Sequence, residues 1–334
     1  MQAIVWTKYG PPEVMQLQEV EKPTPQDDEI LIRIYATTVT AGDSEMRSLK
    51  FPIILSLPMR LWIGFLKPKG TTIPGTELAG IVESVGKDVT LFKEGDQVFG
   101  AAGMGFGANA EYICLPERPG DMEGGVAIKP ANMTYEEAAT VPFGGRDALH
   151  FVRLGDIKTG QKILINGAGG GIGTFAVQLA KLDGAEVTAV DSAEKLDMLS
   201  SLGADHVIDY KQEDFTKNGV IYDVIFDVIG KLSFSRSNKA LKPDGTYLLA
   251  NPASQMLAGL WTQMTSKRKV IMQTASGTIG DLNYLRRLIE EGKIRTVIDR
   301  TYPLEEIVEA HRYVDTGAKQ GNVVITVGDH DIKE

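Results

Sequence analysis

Residues 162–173 read Lys-Ile-Leu-Ile-Asn-Gly-Ala-Gly-Gly-Gly-Ile-Gly, an apolar run that enters a cluster of glycines before a helical pattern begins. Glycines leave backbone N–H groups uncovered, and a helix N-terminus carries a positive partial charge, so this turn has the chemistry that a diphosphate needs. The spacing Ala168-x-Gly170-x-x-Gly173 is typical of a dinucleotide-binding turn, in which Gly170 admits the pyrophosphate and Gly173 lets helix and strand pack closely. An ordinary strand-to-helix turn is the alternative, and the surrounding strands and helix argue against it.

The chain around this turn alternates apolar runs with helical stretches. The apolar runs occupy residues 162–165, 186–190, 206–208, 223–226, 246–250 and 270–273. Two of the helical stretches between them stop at Gly184 and Gly203, where a glycine commonly ends a helix. This alternation predicts an α/β fold with a Rossmann-type, doubly wound parallel sheet that carries helices on both faces.

The flanking sequence has a different pattern. Short strands separated by Gly, Pro and Asp predict a small rolled β domain before the turn. These strands are expected at residues 3–6, 30–38, 77–85, 97–100 and 110–115. Thr134 to Glu137 has the pattern of a capping box, which opens a helix. Further helices are expected at 193–202, at 281–291 with Asp281 as the N-cap, and at 304–313, and a final strand at 323–327 can return to the first domain.

Asp191, Ser192 and Lys195, which follow the second apolar run, bear on the choice between nicotinamide coenzymes. Asp191 follows Ala168 by 23 residues, near the distance at which an acid meets the adenosine ribose. Its carboxylate favours NAD and repels a 2′-phosphate. Ser192 and Lys195 favour the phosphate, as a donor and a cation. The alternative for Lys195 is a solvated lysine in a first helical turn, and these residues alone leave the choice open.

Composition limits the classes of protein to be considered. The 334 residues suffice for about two domains. A net charge of −9 argues against nucleic acid and anionic membranes as partners, and the basic triplet 267–269 is expected to be a solvated helix end. The only cysteine is Cys114, which excludes an intramolecular disulfide. No secretory signal or membrane span is visible, so a cytoplasmic protein is expected.

Several ordered motifs carry a resemblance to a known family. They are Pro74 to Gly80 (Pro-Gly-Thr-Glu-Leu-Ala-Gly), Gly95 to Gly100 (Gly-Asp-Gln-Val-Phe-Gly), the glycine turn, Leu202 to Asp205 (Leu-Gly-Ala-Asp) and Gly321 to Val324 (Gly-Asn-Val-Val). With them, the chain resembles the medium-chain dehydrogenase/reductase superfamily, in its zinc-lacking quinone oxidoreductase branch. The resemblance implies a GroES-like β-barrel domain formed by residues 1–131 and 276–334, around a Rossmann domain at 132–275.

The resemblance also bears on metal binding. Thr40 and Thr76 stand where zinc-dependent relatives carry a cysteine and a histidine, and Phe143-Gly144-Gly145 supplies no third thiolate. Two threonines cannot replace these ligands, so no metal is expected. None of the four histidines shows ligand-like spacing, and His311 is expected to be a helix-face histidine.

Site residues follow from the same resemblance. Asp43 matches a substrate-side aspartate of the branch, and Thr40 replaces its asparagine, so both are predicted to be catalytic. The branch has Gly-x-Thr-Ala where this chain has Gly145-Arg146-Asp147-Ala148, so Asp147 replaces a threonine that normally approaches the nicotinamide; a structural Arg146–Asp147 pair is the alternative. Coenzyme contacts, with NADP(H) favoured and NAD(H) possible, are predicted at Ala168, Gly170, Gly171, Ile172, Gly173, Asp191, Ser192, Lys195, Tyr210, Gly230, Ala250 and Asn322.

An enzyme without a Lewis acid needs an acceptor that is itself electrophilic, such as a quinone or a carbonyl-conjugated alkene. The coenzyme supplies the hydride, Thr40 or the coenzyme ribose is placed to stabilise the oxyanion, and solvent is expected to protonate the product. The substrate pocket is predicted at Trp62 in the apolar cluster 51–66, at Trp261 in the apolar cluster 256–264, and at Phe143 and Arg146. Plain core or a dimer surface is the alternative for both clusters.

Two other functions stay open from the sequence. One is an NAD(P)-dependent alcohol dehydrogenase-like enzyme, and the other is a non-catalytic NADPH-binding sensor or structural protein. The run 270–273 falls late in the sheet order, where an exposed edge strand can pair with a second subunit, so a homodimer is expected.

Overall fold

The computed structural model describes residues 1–49, 60–61, 64–65, 68, 73–120, 123–250 and 268–328. The chain divides into two compact units. Unit 1 contains Met1–Phe143, Thr278–Glu290 and Ile298–Glu334, and unit 2 contains Gly144–Gly277 and Glu291–Val297. The chain therefore enters unit 2 at residue 144, whereas the sequence placed this boundary at 132.

Strands and helices of the described residues are numbered in chain order. The strands are β1 (Gln2–Trp6), β2 (Met15–Glu19), β3 (Glu29–Thr38), β4 (Glu77–Val85), β5 (Gln97–Gly103), β6 (Tyr112–Pro116), β7 (Glu123–Ile128), β8 (Lys162–Asn166), β9 (Glu186–Asp191), β10 (His206–Asp209), β11 (Tyr222–Asp227), β12 (Leu241–Leu249), β13 (Lys269–Met272), β14 (Ile298–Pro303) and β15 (Asn322–Thr326). The helices are α1 (Ala41–Ser48), α2 (Tyr135–Ala139), α3 (Gly144–Gly155), α4 (Gly171–Leu182), α5 (Leu196–Ser201), α6 (Phe234–Ala240), α7 (Ile279–Glu290) and α8 (Ile307–Asp315).

Unit 1 is built on a seven-stranded sheet. Six strands follow the order β14-β15-β3-β4-β5-β7, β6 also pairs with β3, and β1 and β2 form a separate antiparallel pair. Ile30, Ile32 and Ile34 alternate along β3 and are buried, as expected for a strand with one apolar face. The last strand, β15, pairs with β3, which confirms the predicted return of the C-terminal strand to the first domain.

Unit 2 is built on a six-stranded parallel sheet of order β10-β9-β8-β11-β12-β13. Its central strands are buried on both faces, which explains their continuous apolar sequence. The order reverses beside β8, because β9 and β10 extend the sheet on one side and β11 to β13 on the other. A crevice at the carboxyl ends of β8 and β11 is the usual ligand site of such a sheet.

Helix starts agree with the sequence at α2 and differ at α7. The Thr134 hydroxyl accepts from Glu137 N–H at 3.2 Å, and the Glu137 carboxylate accepts from Thr134 N–H at 3.0 Å, which confirms the capping box. Helix α2 packs against β3 and β4, and this packing assigns it to unit 1. At α7, the prediction of Asp281 as the N-cap is wrong. Thr278 occupies that position, and Asp281, the third residue of the helix, exchanges capping-box hydrogen bonds with it.

The helix expected over residues 193–202 divides into a 3-10 turn, Ala193–Lys195, and α5. Likewise, the helix expected from residue 304 begins as a 3-10 turn, Leu304–Glu306, before α8. No helix among the described residues has the length and apolar character needed to cross a bilayer.

Candidate functional site

The glycine turn joins β8 to α4 in unit 2. The N–H groups of Gly167 and Ala168 donate to the Val190 carbonyl at 3.0 and 3.2 Å, which fastens the turn to β9. A Cβ at residue 173 would lie 2.4 Å from the Gly167 carbonyl oxygen, so helix and strand need glycine there. A Cβ at residue 170 would find no atom of the described residues closer than 3.7 Å, so the N-terminus of α4 stays accessible beside Gly170. This geometry fits the diphosphate of a dinucleotide.

Asp191 and Lys195 lie directly over this turn. The Lys195 ammonium is 3.1 Å from Asp191 Oδ1, and both side chains are about nine-tenths buried. Asp191 Oδ2 accepts from Gly169 N–H at 2.8 Å, and Oδ1 accepts from Ser192 N–H at 2.9 Å. The aspartate and the lysine, which the sequence placed in opposition, therefore form one ion pair anchored to the glycine turn.

Gly169 is a site residue that the sequence reasoning missed. A Cβ at this position would lie 2.4 Å from Lys195 Cδ and 3.0 Å from Asp191 Oδ2. The lysine stem therefore occupies the space that a side chain at residue 169 would need. The available signal was the run Gly169-Gly170-Gly171, because the pyrophosphate spacing itself requires glycine only at the middle position.

The other predicted coenzyme residues of unit 2 lie at carboxyl ends of strands. Tyr210 follows β10, donates its N–H to the Asp191 carbonyl at 3.2 Å and exposes 58% of its surface. Ala250 follows β12, and its N–H donates to the Asp227 carbonyl at 3.2 Å. Gly230 lies in the loop after β11 and donates to the Asp227 carboxylate at 3.0 Å. The remaining residue, Asn322, is buried at the start of β15 in unit 1.

The two predicted catalytic residues of unit 1 contact each other at the start of α1. Asp43 Oδ2 accepts from Thr40 N–H at 2.8 Å and from the Thr40 hydroxyl at 2.6 Å, and Asp43 N–H donates back to that hydroxyl. Thr76 also forms a side-chain hydrogen bond with Asp43. The threonines at the two metal-ligand positions thus converge on one carboxylate. Burial raises the pKa of Asp43, and the bonds from Thr40 and Thr76 partly oppose this effect.

Glu77 is a second buried carboxylate of unit 1, and the sequence reasoning gave it no role. One oxygen accepts from the Thr38 hydroxyl at 2.5 Å, and the other accepts from Phe143 N–H at 2.6 Å. Phe143, a predicted pocket residue, keeps 40% of its surface exposed. Its backbone is therefore held by Glu77 while its ring remains accessible. The signal for Glu77 was a charged residue at the start of an apolar strand.

Helix α3 begins against the glycine turn. A Cβ at Gly144 would lie 2.9 Å from the Gly171 carbonyl oxygen, so the N-terminal ends of α3 and α4 are in close contact. Arg146 donates to the Gly277 carbonyl at 2.8 Å, and its charge also acts on the neighbouring Asp147. Burial raises the pKa of Asp147 to about 7, and the charge of Arg146 opposes the rise only in part.

The predicted pocket residues Trp62 and Trp261, together with most of the two apolar clusters, lie outside the described residues. Within the described ranges, no group of three His, Cys, Asp or Glu side chains is arranged to hold a metal ion. His311 is buried on α8, where burial lowers its pKa to about 3 and the Ser44 hydroxyl lies 3.4 Å from its Nδ1. Its placement is that of a helix-face histidine.

Comparison with known proteins adds independent information. The family model for the alcohol dehydrogenase GroES-like domain matches residues 26–120, and that for the zinc-binding dehydrogenase matches residues 202–325. The 2-methylene-furan-3-one reductase of Solanum lycopersicum is 32% identical over 97% of this chain and 79% of its own length. The chloroplastic NADPH-dependent alkenal/one oxidoreductase of Arabidopsis thaliana is 30% identical over the same shares. The solved quinone oxidoreductase of Coxiella burnetii superposes with a TM-score of 0.84 at 28% identity, covering 98% of this chain and 99% of its own.

Proposed function

The chain belongs to the medium-chain dehydrogenase/reductase superfamily, in its quinone oxidoreductase branch, and we propose that it is an NADPH-dependent reductase of quinones and carbonyl-conjugated alkenes. The observation that carries the proposal is the glycine turn, which leaves the N-terminus of α4 accessible beside Gly170 and holds a lysine beside it. The names of the tomato and Arabidopsis relatives support the substrate class.

The residues of unit 2 fit a nicotinamide coenzyme, which supplies a hydride when bound. The first N–H groups of α4 have no partner within the helix and are placed to hold the diphosphate. Ser192, Lys195 and Tyr210 surround the end of β9, where the adenosine ribose binds in sheets of this type.

The Asp191–Lys195 pair explains a preference for NADPH over NADH. Asp191 already accepts two backbone N–H groups and faces the Lys195 ammonium, so its charge repels a phosphate less than a free carboxylate would. A 2′-phosphate entering this position gains the Lys195 ammonium as a charge-assisted donor. Because Asp191 also remains able to accept from ribose hydroxyls, NADH binding stays possible.

The Thr40–Asp43 contact supplies the proton of the proposed reaction. The Thr40 hydroxyl donates to an ionised Asp43, so its hydrogen is unavailable to a substrate. When Asp43 is protonated, it donates to Thr40, and Thr40 can then give its hydrogen to the enolate or hydroquinone oxygen that forms after hydride addition. Asp43 regains the proton from solvent. Direct protonation by solvent is the alternative to this route.

One experiment tests the proposed function. The purified protein is mixed with NADPH or NADH, and coenzyme oxidation is followed with quinones, carbonyl-conjugated alkenes and simple alcohols or aldehydes. We expect turnover with quinones and conjugated alkenes, faster with NADPH. Reaction confined to alcohols and aldehydes, with stoichiometric zinc in the protein, would instead identify an alcohol dehydrogenase. Tight coenzyme binding with no turnover on any acceptor would identify a sensor or structural protein.

We further propose that two copies associate through β13. Among the described strands, β13 pairs only with β12 and so lies at the edge of the sheet. An edge strand offers unpaired backbone groups to a second copy. Light scattering coupled to gel filtration tests this: the mass of a dimer is expected, and a monomer at micromolar concentration would contradict it.

A further inference from the structure

Asp227 is a fully buried carboxylate at the last residue of β11. Its Oδ1 accepts from the Asn166 side-chain amide at 2.8 Å and from Gly230 N–H at 3.0 Å. Its Oδ2 accepts from Leu232 N–H at 3.1 Å and from the Tyr247 hydroxyl at 3.2 Å. Four donors therefore meet one carboxylate in the interior, where an unpaired charge would be costly.

These donors belong to two neighbouring strands and one loop. Asn166 ends β8, immediately before the glycine turn, and Tyr247 belongs to β12. Gly230 and Leu232 lie in the loop after β11, which we call the 228–232 loop. The backbone adds two further links, because the Asp227 carbonyl accepts from Ala250 N–H and the Asn166 carbonyl accepts from Val228 N–H. Asp227 thus joins the carboxyl ends of β8, β11 and β12.

The 228–232 loop also contacts the glycine turn itself. A Cβ at Gly167 would lie 2.7 Å from Ile229 Cγ1, so the Ile229 side chain covers this glycine. The loop that Asp227 holds is therefore a wall of the glycine turn.

The position of the loop defines which part of the coenzyme it meets. The adenosine side of the site lies at β9, where Asp191 and Lys195 are, and the diphosphate lies at β8. A dinucleotide crosses the point where strand order reverses, so its nicotinamide half extends to the other side of β8, toward β11 and β12.

We propose that Asp227 is a positioning residue for the nicotinamide half of the coenzyme. Its carboxylate sets the shape of the 228–232 loop before coenzyme arrives, and the loop then needs no ordering when coenzyme binds. This inference rests on the proposed use of a nicotinamide coenzyme and adds a role that Asp227 plays without touching the reacting atoms.

Replacing the carboxylate with an amide tests the role with little change of shape. In Asp227→Asn one oxygen remains an acceptor, and the new NH₂ group faces two former donors. The Tyr247 hydroxyl can rotate and accept from it, but Leu232 N–H cannot and loses its hydrogen bond to residue 227. The loop should therefore loosen while the strands stay paired.

Asp223→Asn provides a matched control on the same strand. Asp223 lies at the opposite end of β11, where it accepts from Lys162 N–H at 3.0 Å and pairs with the Lys242 ammonium at 2.6 Å. Both variants remove one buried or half-buried carboxylate from β11, but only Asp227→Asn acts at the end that faces the coenzyme.

Two measurements on wild type and both variants test the positioning role of Asp227. NADPH affinity is obtained by fluorescence titration without acceptor, and hydrogen exchange of the 228–232 amides is followed without coenzyme. Asp227→Asn should raise the NADPH Kd about tenfold and speed exchange at Gly230 and Leu232. Asp223→Asn should change the NADPH Kd less than about twofold and leave that exchange unchanged.

The outcomes are distinguishable. Wild-type protein that binds no NADPH would overturn the proposed function. Wild-type binding with an unchanged Kd in Asp227→Asn, or an equal rise of the Kd in both variants, would overturn the role of Asp227. If Asp227→Asn does not fold, the wild-type protein still tests the role, because rapid exchange of the Gly230 and Leu232 amides without coenzyme would contradict it.

Discussion

The Lys195 ammonium lies 3.1 Å from the Asp191 carboxylate, and its aliphatic stem fills the space above Gly169. The residues proposed to select the coenzyme therefore contact one another: the backbone of Gly169, the Asp191 carboxylate and the Lys195 side chain. Changing any one of them should change the discrimination between the two coenzymes before it changes the fold.

Removing the charge of Lys195 should reverse the preference for NADPH. Lys195→Met keeps much of the stem that covers Gly169 and deletes the ammonium, so the NADPH Kd should rise about tenfold or more. The NADH Kd should change much less. Asp191→Asn is the opposite test, because it frees Lys195 and should tighten NADPH. Equal effects on both coenzymes in Lys195→Met would contradict a contact between Lys195 and the 2′-phosphate.

Two glycine substitutions should separate coenzyme selection from stability. Gly169→Ala meets the Cδ atom of Lys195, which is part of a flexible side chain and can move away. Its main effect should be a lower preference for NADPH. Gly173→Ala meets the backbone of Gly167 and Ala168 at 2.4–2.5 Å and should lower the free energy of unfolding by about 2 kcal/mol or more. Denaturant unfolding and coenzyme titration of both variants measure these effects, and identical behaviour would argue against the assigned contacts.

Thr40 and Asp43 should control the pH dependence of turnover. Burial raises the pKa of Asp43, and the protonated form is the one proposed to donate, so wild-type kcat should fall as pH rises through that pKa. Asp43→Asn can still accept from Thr40 N–H but cannot release a proton, so kcat should fall about 10²-fold and lose this pH dependence. Thr40→Val should lower kcat comparably.

Thr40→Ser is the control for this pair, since it keeps the hydroxyl and should retain most activity. A pH profile in Asp43→Asn that matches wild type would contradict the proton route, even if the activity of the variant is low. A wild-type kcat in Asp43→Asn would also contradict the proton route.

Asp147 should make unfolding depend on pH in a direction unusual for an aspartate. Burial raises its pKa from 3.8 to about 7 in the folded protein, so its contribution to stability is complete below pH 3.8 and is lost as pH rises through 7. Asp147→Asn should therefore raise the Tm at pH 8 by about 5 °C and change it little at pH 4. Thermal unfolding at both pH values checks this.

Asp156→Asn is the matched control for Asp147. Asp156 pairs with Lys158 at the surface, and that bond lowers the pKa of its carboxyl. Its amide variant should gain no stability at pH 8. A similar gain in both variants would indicate a general effect of net charge in place of the burial of Asp147.

The parallel sheet was predictable because its central strands, such as β8 and β11, contain apolar runs, and such runs are typical of strands buried on both faces. The start of α4 was predictable because the glycine spacing is set by local packing, as Gly173 illustrates. The contact between Thr134 and Glu137 was equally predictable from the sequence, since a capping box joins residues three apart.

The parts that escaped prediction depend on contacts across the sequence. Asp227 gathers donors from Asn166 and Tyr247, which are 61 and 20 residues away. Glu77 reaches Phe143 across 66 residues. The convergence of Thr40 and Thr76 on Asp43 belongs to the same class, because sequence alone showed only that two metal ligands were replaced. Such clusters can be identified only once strand order and register are known.

The central claim is that hydride from NADPH and a proton held by this chain add across a conjugated double bond. Its most direct test is turnover of a carbonyl-conjugated alkene with NADPH that carries deuterium at the transferred position, followed by mass and NMR analysis of the product. The account predicts a saturated ketone with one deuterium on the β-carbon and the second hydrogen from solvent. An allylic alcohol with deuterium on the carbonyl carbon, or unchanged alkene beside bound coenzyme, would contradict it.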